Sequence, residues 1–249
     1  MARTRPWVRI AEDLRTAITS GRYRPGDPLP TARELMDRWG VARQTVQNAV
    51  DQLQSEGLVT SRPGRGWYVA QPPAIRRLAR NRLSQAERAA GRGAFLSDSE
   101  QGGWQADVSV EITRRPADDR IAGILGLTGE DPEVVVRARR MSADDQVVQL
   151  ATSYLPADIA AGTAIERPDT GTGGIYARLE ELGHRLTHFE ESVSARPSRP
   201  EEAASLGLPS GNPILGVTRV AWAGERAVEV NDMVLAGDRH ELVYLLPAD

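Results

Sequence analysis

Between Leu29 and Val69 the apolar positions change their period twice, and the change predicts two helices followed by a hairpin. Thr31 with Glu34 three residues later fits a capping box, in which each side chain satisfies an orphan backbone N–H at a helix start. A helix therefore begins near Ala32, carries Leu35, Met36 and Trp39 on one face, and stops at Gly40, a residue suited to left-handed backbone. After Gly40-Val41-Ala42, apolar residues recur at Val46, Ala49, Val50 and Leu53, a helical period that runs to about Glu56. Leu58-Val59 and Trp67-Tyr68-Val69 then read as short strands around Arg62-Pro63-Gly64-Arg65-Gly66.

The pattern changes again from Val108 onward, where β-branched runs dominate: 108–112, 133–137, 146–155, 215–222, 228–234 and 242–246. Helical stretches at 119–125, 175–182 and 200–206 are each closed by a glycine, at Gly126, Gly183 and Gly207. Many strands and few helices predict an α+β domain with a mainly antiparallel sheet. Gln71-Pro72-Pro73 breaks both kinds of ladder and marks a boundary. The alanine-rich, basic stretch from Arg76 to Arg92 reads as a short linker helix. The expected organisation is residues 1–71, a linker 72–93, and a second domain 94–249.

Exposed residues on the second predicted helix are Arg43, Gln44, Gln47 and Asn48. Arg can bond guanine O6 and N7, and Gln or Asn adenine N6 and N7, so this face suits a major groove. A solvated face of an ordinary helix would show the same residues. The hairpin shifts the balance, because its glycines let the backbone approach a phosphate or groove wall and its arginines supply charge. Helix, turn, helix and basic hairpin in that order outline a winged helix-turn-helix.

Charge supports this assignment. All 31 basic residues are Arg; residues 1–80 hold 14 of them against 7 acidic residues, net +7, and the remainder holds 17 against 27, net −10. Positive charge gathered on one domain is what counterion release from DNA needs, whereas an acidic domain is repelled by the duplex. Arg in place of Lys throughout is what a GC-rich coding sequence alone would produce, so it adds nothing to the DNA reading. Without cysteine there is no disulfide, thiolate metal site or cysteine nucleophile, and without lysine there is no Schiff-base chemistry with pyridoxal phosphate. No apolar run approaches membrane-spanning length and no hydrophobic signal core follows the N-terminus, which points to the cytoplasm.

Residues 6–70, from PWVRIAEDL through LPTARELMDRWGVARQTVQNAV to SRPGRGWYVA, resemble the DNA-binding domain of the GntR family of bacterial transcription regulators. The resemblance implies that Arg33, Arg43, Gln44, Thr45 and Gln47 lie at DNA-contacting positions, and that Arg62, Gly64 and Arg65 belong to a wing whose tip enters the minor groove. Ala32 stands where the family often has an acidic residue, and Gln47 where it often has Arg, which alters the expected base preference. Ala42 replaces the usual Ser or Thr cap of the recognition helix, a loss of about 1 kcal/mol.

The second half, through ARRMSADDQVVQLATSYLPADIAAGT, GGIYARLEELGH, PEEAASLGLPSGNPIL and AVEVNDMVL, resembles the UTRA effector domain of the HutC subfamily, with members like actinobacterial plasmid-transfer repressors among the nearest in pattern. That resemblance implies a chorismate-lyase-like sheet with a ligand pocket between sheet and helices, and places Arg139, Ser153, Tyr154 and Glu229 at effector positions. Arg137 and Arg139, two apart on a predicted strand, would face the same side and suit a phosphate or carboxylate, or else form surface ion pairs. Sugar-phosphate-binding relatives usually have a further arginine and an aromatic where Met141 and Leu235 stand, so the expected effector is less charged and more apolar.

Two other features carry less. The Thr170–Gly174 run before a helix could hold an anion on backbone N–H groups, or be a plain flexible loop; it lacks a P-loop lysine. His184 and His188 sit four apart, but Gly183 stops the helix that would align them, so no metal site is expected. Taken together, a homodimeric, ligand-responsive repressor is expected, reading a palindromic double-stranded operator through two recognition helices and needing no cofactor. The rivals are a regulator whose second domain only dimerises and, remotely, a lyase-like enzyme; no acid–base or nucleophile constellation supports the latter.

Overall fold

The computed structural model describes residues 5–62, 64–70, 75–78, 95, 99–100 and 102–244, with the side chains of residues 62 and 76–78 outside that description. The chain divides into two compact units, Met1–Pro72 and Pro73–Asp249.

The first unit is three helices and a hairpin. Helix α1 (Pro6–Thr19) starts with proline at its first position and buries Ile10, Ala11, Leu14 and Ala17. Helix α2 (Ala32–Trp39) has the expected capping box: the Thr31 N–H donates to Glu34 Oε2 at 2.7 Å, and the Glu34 N–H donates to Thr31 Oγ1 at 3.3 Å. Gly40 ends it with φ 60°. Helix α3 (Arg43–Ser55) buries Val46, Ala49, Val50 and Leu53, which close a core with Leu14 and Leu35. Strands β1 (Val59–Arg62) and β2 (Gly66–Val69) pair antiparallel, from Val59 opposite Val69 to Arg62 opposite Gly66. A two-pronged ion pair from Arg15 to Glu56, at 2.6 and 2.9 Å, ties α1 to the residue that ends α3.

The second unit is built on a six-stranded antiparallel sheet. Its strands are β4 (Ala106–Pro116), β5 (Glu133–Ala143), β6 (Gln146–Pro156), β7 (His188–Pro197), β8 (Pro213–Ala223) and β9 (Arg226–Ala236), in the order β4-β5-β6-β9-β8-β7. Successive side chains alternate between the two faces. On one face Val135, Leu155 and Ala221 pack beneath α5 (Ala157–Ala160), a 3-10 turn (Ala164–Glu166) and α6 (Gly174–Glu181). On the other, Val134, Val136 and Val230 pack beneath α4 (Asp119–Leu125), which is capped by Asp118 and ended by Gly126 with φ 64°. Helix α7 (Pro200–Leu206) follows β7 and is tied to it by Arg196, which grips Glu202 at 2.6 and 2.7 Å.

Helices α1 and α5 and the 3-10 turn had no counterpart among the expected elements, and two strands also differ. Residues 75–78, within the stretch read as a linker segment and helix, form strand β3 (Ile75–Leu78), paired in parallel with β10 (His240–Val243). Burial explains it: Ile75 is enclosed among Met233, Leu235 and Val217, and a strand lets the chain pair while doing so. The linker-helix expectation for residues 79–92 lies outside the described residues. Strand β7 was not expected, because its sequence HFEESVSARP is mostly polar; it is an edge strand with one side open to solvent.

Candidate nucleic-acid interface and effector site

Burial of one side of α3 leaves a polar side built by the same helical period. Arg43, Gln44 and Asn48 are exposed, and Thr45 and Gln47 half-buried. Two bonds along the helix order the amides: Gln44 Nε2 donates to Asn48 Oδ1 at 2.9 Å, and Gln47 Nε2 donates to Asp51 Oδ1 at 2.7 Å. Ala42 is the extended residue before α3 and gives no side-chain cap, leaving its first N–H groups without a side-chain acceptor. At the hairpin, Gly64 (φ 71°) and Gly66 (φ 94°) hold left-handed backbone on either side of exposed Arg65. The Arg62 backbone completes the β1–β2 ladder, and its side chain lies outside the described residues.

Some arginines of this unit have internal tasks and others do not. Arg15 is held by Glu56, Arg38 pairs with Asp13 at 3.2 Å, and Arg9 and Arg38 both approach the Trp39 ring. Among the described residues, Arg33, Arg43 and Arg65 make no ion pair, and all three are exposed. Their charge is therefore directed at solvent, where a polyanion can collect it.

The second site is a row of buried polar groups across the sheet. Register places Arg137 on β5, Ser153 on β6, Asn231 on β9, Arg219 on β8 and Glu191 on β7 side by side on the face that carries α6. By alternation Arg139 lies two residues along β5 on the same face, and Glu229 two residues along β9. Arg137 is 3% exposed, Asn231 4% and Glu229 0%.

Two of the three cations are used internally. The Arg137 guanidinium donates to the carbonyls of Ile165, Arg167 and Pro168, clasping the 3-10 turn that follows α5; burial and the charge of Arg139 push it down to about 10. Arg219 donates to Glu191 from Nε at 2.8 Å; burial pulls its pKa down, but Tyr176 and Glu191 raise it above the ordinary value. Arg139 donates to Ser153 Oγ at 2.6 Å, and burial lowers its pKa. Tyr176, from α6, is raised by burial and then by the charge of Glu229. Although that hydroxyl is near enough to act on Glu229, neither Glu229 oxygen has a hydrogen-bond partner of normal geometry; nor do Asn231 Oδ1, Arg137 Nε and Arg139 Nε.

Of the effector residues expected from sequence, the structure brings Arg137, Arg139, Ser153 and Glu229 together on one face. Tyr154 it does not: following Ser153 on β6, it turns to the opposite face, packs with the α4 cluster, and lies under Arg115 at 5.7 Å. Alternation along a strand is the physical reason, since neighbours cannot share a face. Tyr176, Asn231, Arg219 and Glu191 were missed. A signal existed for one of them, because Arg219 interrupts the otherwise apolar inward positions Leu215, Val217 and Ala221 of LGVTRVAW. The loop at 170–174 is tied by Arg178, which donates to the Thr170 carbonyl at 2.9 Å, and His188 stacks on Trp222.

Comparison with known proteins agrees with both halves. The profile of the bacterial regulatory proteins, gntR family, matches residues 7–69, and that of the UTRA domain matches residues 108–241. The chain is 34% identical to an HTH-type transcriptional regulator of Mycobacterium tuberculosis, over 96% of this chain and 85% of that protein. It is 26% identical to the HTH-type transcriptional repressor NagR of Bacillus subtilis, over 96% of this chain and 94% of that protein. The crystal structure of PhnF from Mycobacterium smegmatis superposes with a TM-score of 0.60 and 27% identity, covering 96% of this chain and 99% of that one.

Proposed function

This chain belongs to the gntR family of bacterial regulatory proteins, as a ligand-responsive DNA-binding transcriptional repressor with a UTRA effector domain, and on that premise we propose how its residues divide the work. Arg43, Gln44 and Gln47 read base edges in a major groove, and Arg33 and Thr45 hold the backbone beside it. Arg62, Gly64 and Arg65 form the wing. The single observation that carries this reading is the polar side of α3, with unpaired Arg43 at its start and the basic glycine hairpin following in the same unit.

In the second unit, Arg137, Arg139, Ser153 and Glu229, with Asn231, Arg219 and Tyr176, form the effector site. Arg137 acts there mainly as the clasp that holds the 3-10 turn over the row. Tyr154 affects the site only through β6. The chain works as a homodimer paired through its acidic domain, so two α3 helices meet two half-sites of a palindromic operator. It acts in the cytoplasm, where that DNA is, and as a regulator rather than an enzyme. Effector and operator are coupled by a difference in effector affinity between DNA-competent and incompetent states, of order 1–3 kcal/mol.

Selection of bound sequences from a random DNA pool, followed by addition of metabolite fractions, tests both halves. A palindromic consensus released by one fraction is the expected result. A consensus that no fraction releases would leave a DNA-binding protein whose second domain only dimerises.

A further inference from the structure

Charge in the buried row is unevenly spent. Arg137 is answered by three carbonyls and Arg219 by Glu191. What remains is Glu229, fully buried, with the Tyr176 hydroxyl near it but neither oxygen in a hydrogen bond of normal geometry, the unbonded Oδ1 of Asn231 on the same strand, and Arg139, which donates to Ser153, feels the charge of Glu229 and keeps its Nε unbonded. An apolar ligand would leave Glu229 and Arg139 only each other's charge across the row, with no well-formed hydrogen bond to either Glu229 oxygen, in a medium that penalises this. A simple anion would satisfy Arg139 and be repelled by Glu229, and a simple cation would do the reverse. Ser153 and Asn231 are direct cross-strand neighbours, with about 5 Å between their Cβ atoms, so the two charged ends lie within the reach of one small molecule. Beyond them Ala151, Val217 and Met233 make an apolar wall on the same face.

Resting on the reading of this row as the effector site, we propose that its ligand is a small amphoteric molecule of amino-acid size: Glu229 and Asn231 take its ammonium group, Arg139 and Ser153 take its anionic group, and its carbon skeleton lies on Ala151, Val217 and Met233. Met141 and Leu235 keep the far end of the face apolar, but Glu229 makes the required ligand more polar than their presence alone suggests.

The test uses the full-length protein and a panel of the twenty common α-amino acids, γ-aminobutyrate and phosphoethanolamine, each beside its N-acetylated form and, for the carboxylates, its amide. Thermal shift is followed by calorimetry, since a ligand bound only by the folded state raises the melting temperature. The expected result is that at least one amphoteric compound binds, and that blocking either of its charges weakens it about a hundredfold or more, because the site's buried groups are then left unpaired. Response to phosphoethanolamine rather than the amino acids would identify the anion as a phosphate. The variant Glu229→Gln should leave the ligand-free melting temperature unchanged or raise it, and weaken that compound by a similar factor. Equal binding of blocked or singly charged compounds overturns the ligand class while leaving the effector site intact. No shift from any panel member overturns the class as well. A Glu229→Gln variant that melts clearly lower makes Glu229 a structural counter-ion of Arg139 and overturns both this inference and the site reading it rests on.

Discussion

The two sites of this chain are built in opposite ways. The α3 surface draws its residues from one helix and one hairpin, all within about one domain's local sequence, and keeps its charges in water. The sheet row draws seven polar residues from five strands, plus Tyr176 from a helix, and keeps most of them out of water. Exposed charges contribute little to stability and are free to act on a partner, whereas buried ones must be answered internally or held for a ligand. Mutation should therefore separate the two: changes at α3 should alter binding and spare folding, whereas in the row the internally answered Arg137 and Arg219 should carry stability and Glu229 ligand binding.

Arg137→Ala breaks this comparison most severely. It strips three carbonyls of their donor and should cost about 3–5 kcal/mol, seen as an early melting transition of the second unit with the first unaffected. Little loss would mean that the clasp does not hold the turn. In the first unit the apolar side of α3 should behave comparably: Leu53→Ala should lower stability by about 2–5 kcal/mol in urea unfolding, while exposed Arg43, Gln44 and Asn48 can be changed at little cost.

Smaller effects sharpen the contrast. Thr31→Ala removes the capping box of α2 and should cost about 1 kcal/mol. Ala42→Ser should add up to about 1 kcal/mol, because the extended backbone before α3 already has cap geometry and no side-chain cap. In the second unit, hydrogen bonds from Arg114 and then from the Gly162 N–H hold Glu166 at about 2. Its folded value is depressed, so its stabilisation is present above the ordinary carboxylate value of 4.5 and is lost as pH falls toward about 2. Arg114 is half exposed and solvent screens the pair, so this is the weakest effect. Arg114→Gln should lower stability slightly above about pH 4.5 and flatten the pH dependence of unfolding across that interval.

How much of each site was legible follows from the same difference. Thr31, Glu34 and Gly40 marked α2, and Val46, Ala49, Val50 and Leu53 marked α3, because helical contacts lie three or four residues apart. The sheet's central strands showed in their β-branched runs, but β7 did not, because an edge strand needs no apolar repeat. The pairing of β3 with β10 joins segments over 160 residues apart in sequence, and nothing local to Ile75 announces it. Resemblance singled out Arg139, Ser153 and Glu229 as effector positions, yet only register showed that Arg219 and Glu191 share their row and that Tyr154 faces away. Residues that meet across a sheet become visible once strand order is known.

The claim on which the rest depends is that α3 reads sequence. It is tested most directly by titrating wild type and Arg43→Ala against the selected operator and against random duplex at one moderate salt concentration. Wild type should prefer the operator by about a thousandfold or more. The substitution should cost about 1–3 kcal/mol on the operator and much less on random DNA. An equal loss on both would reduce Arg43 to a phosphate contact, and no preference by wild type for any sequence would contradict the account.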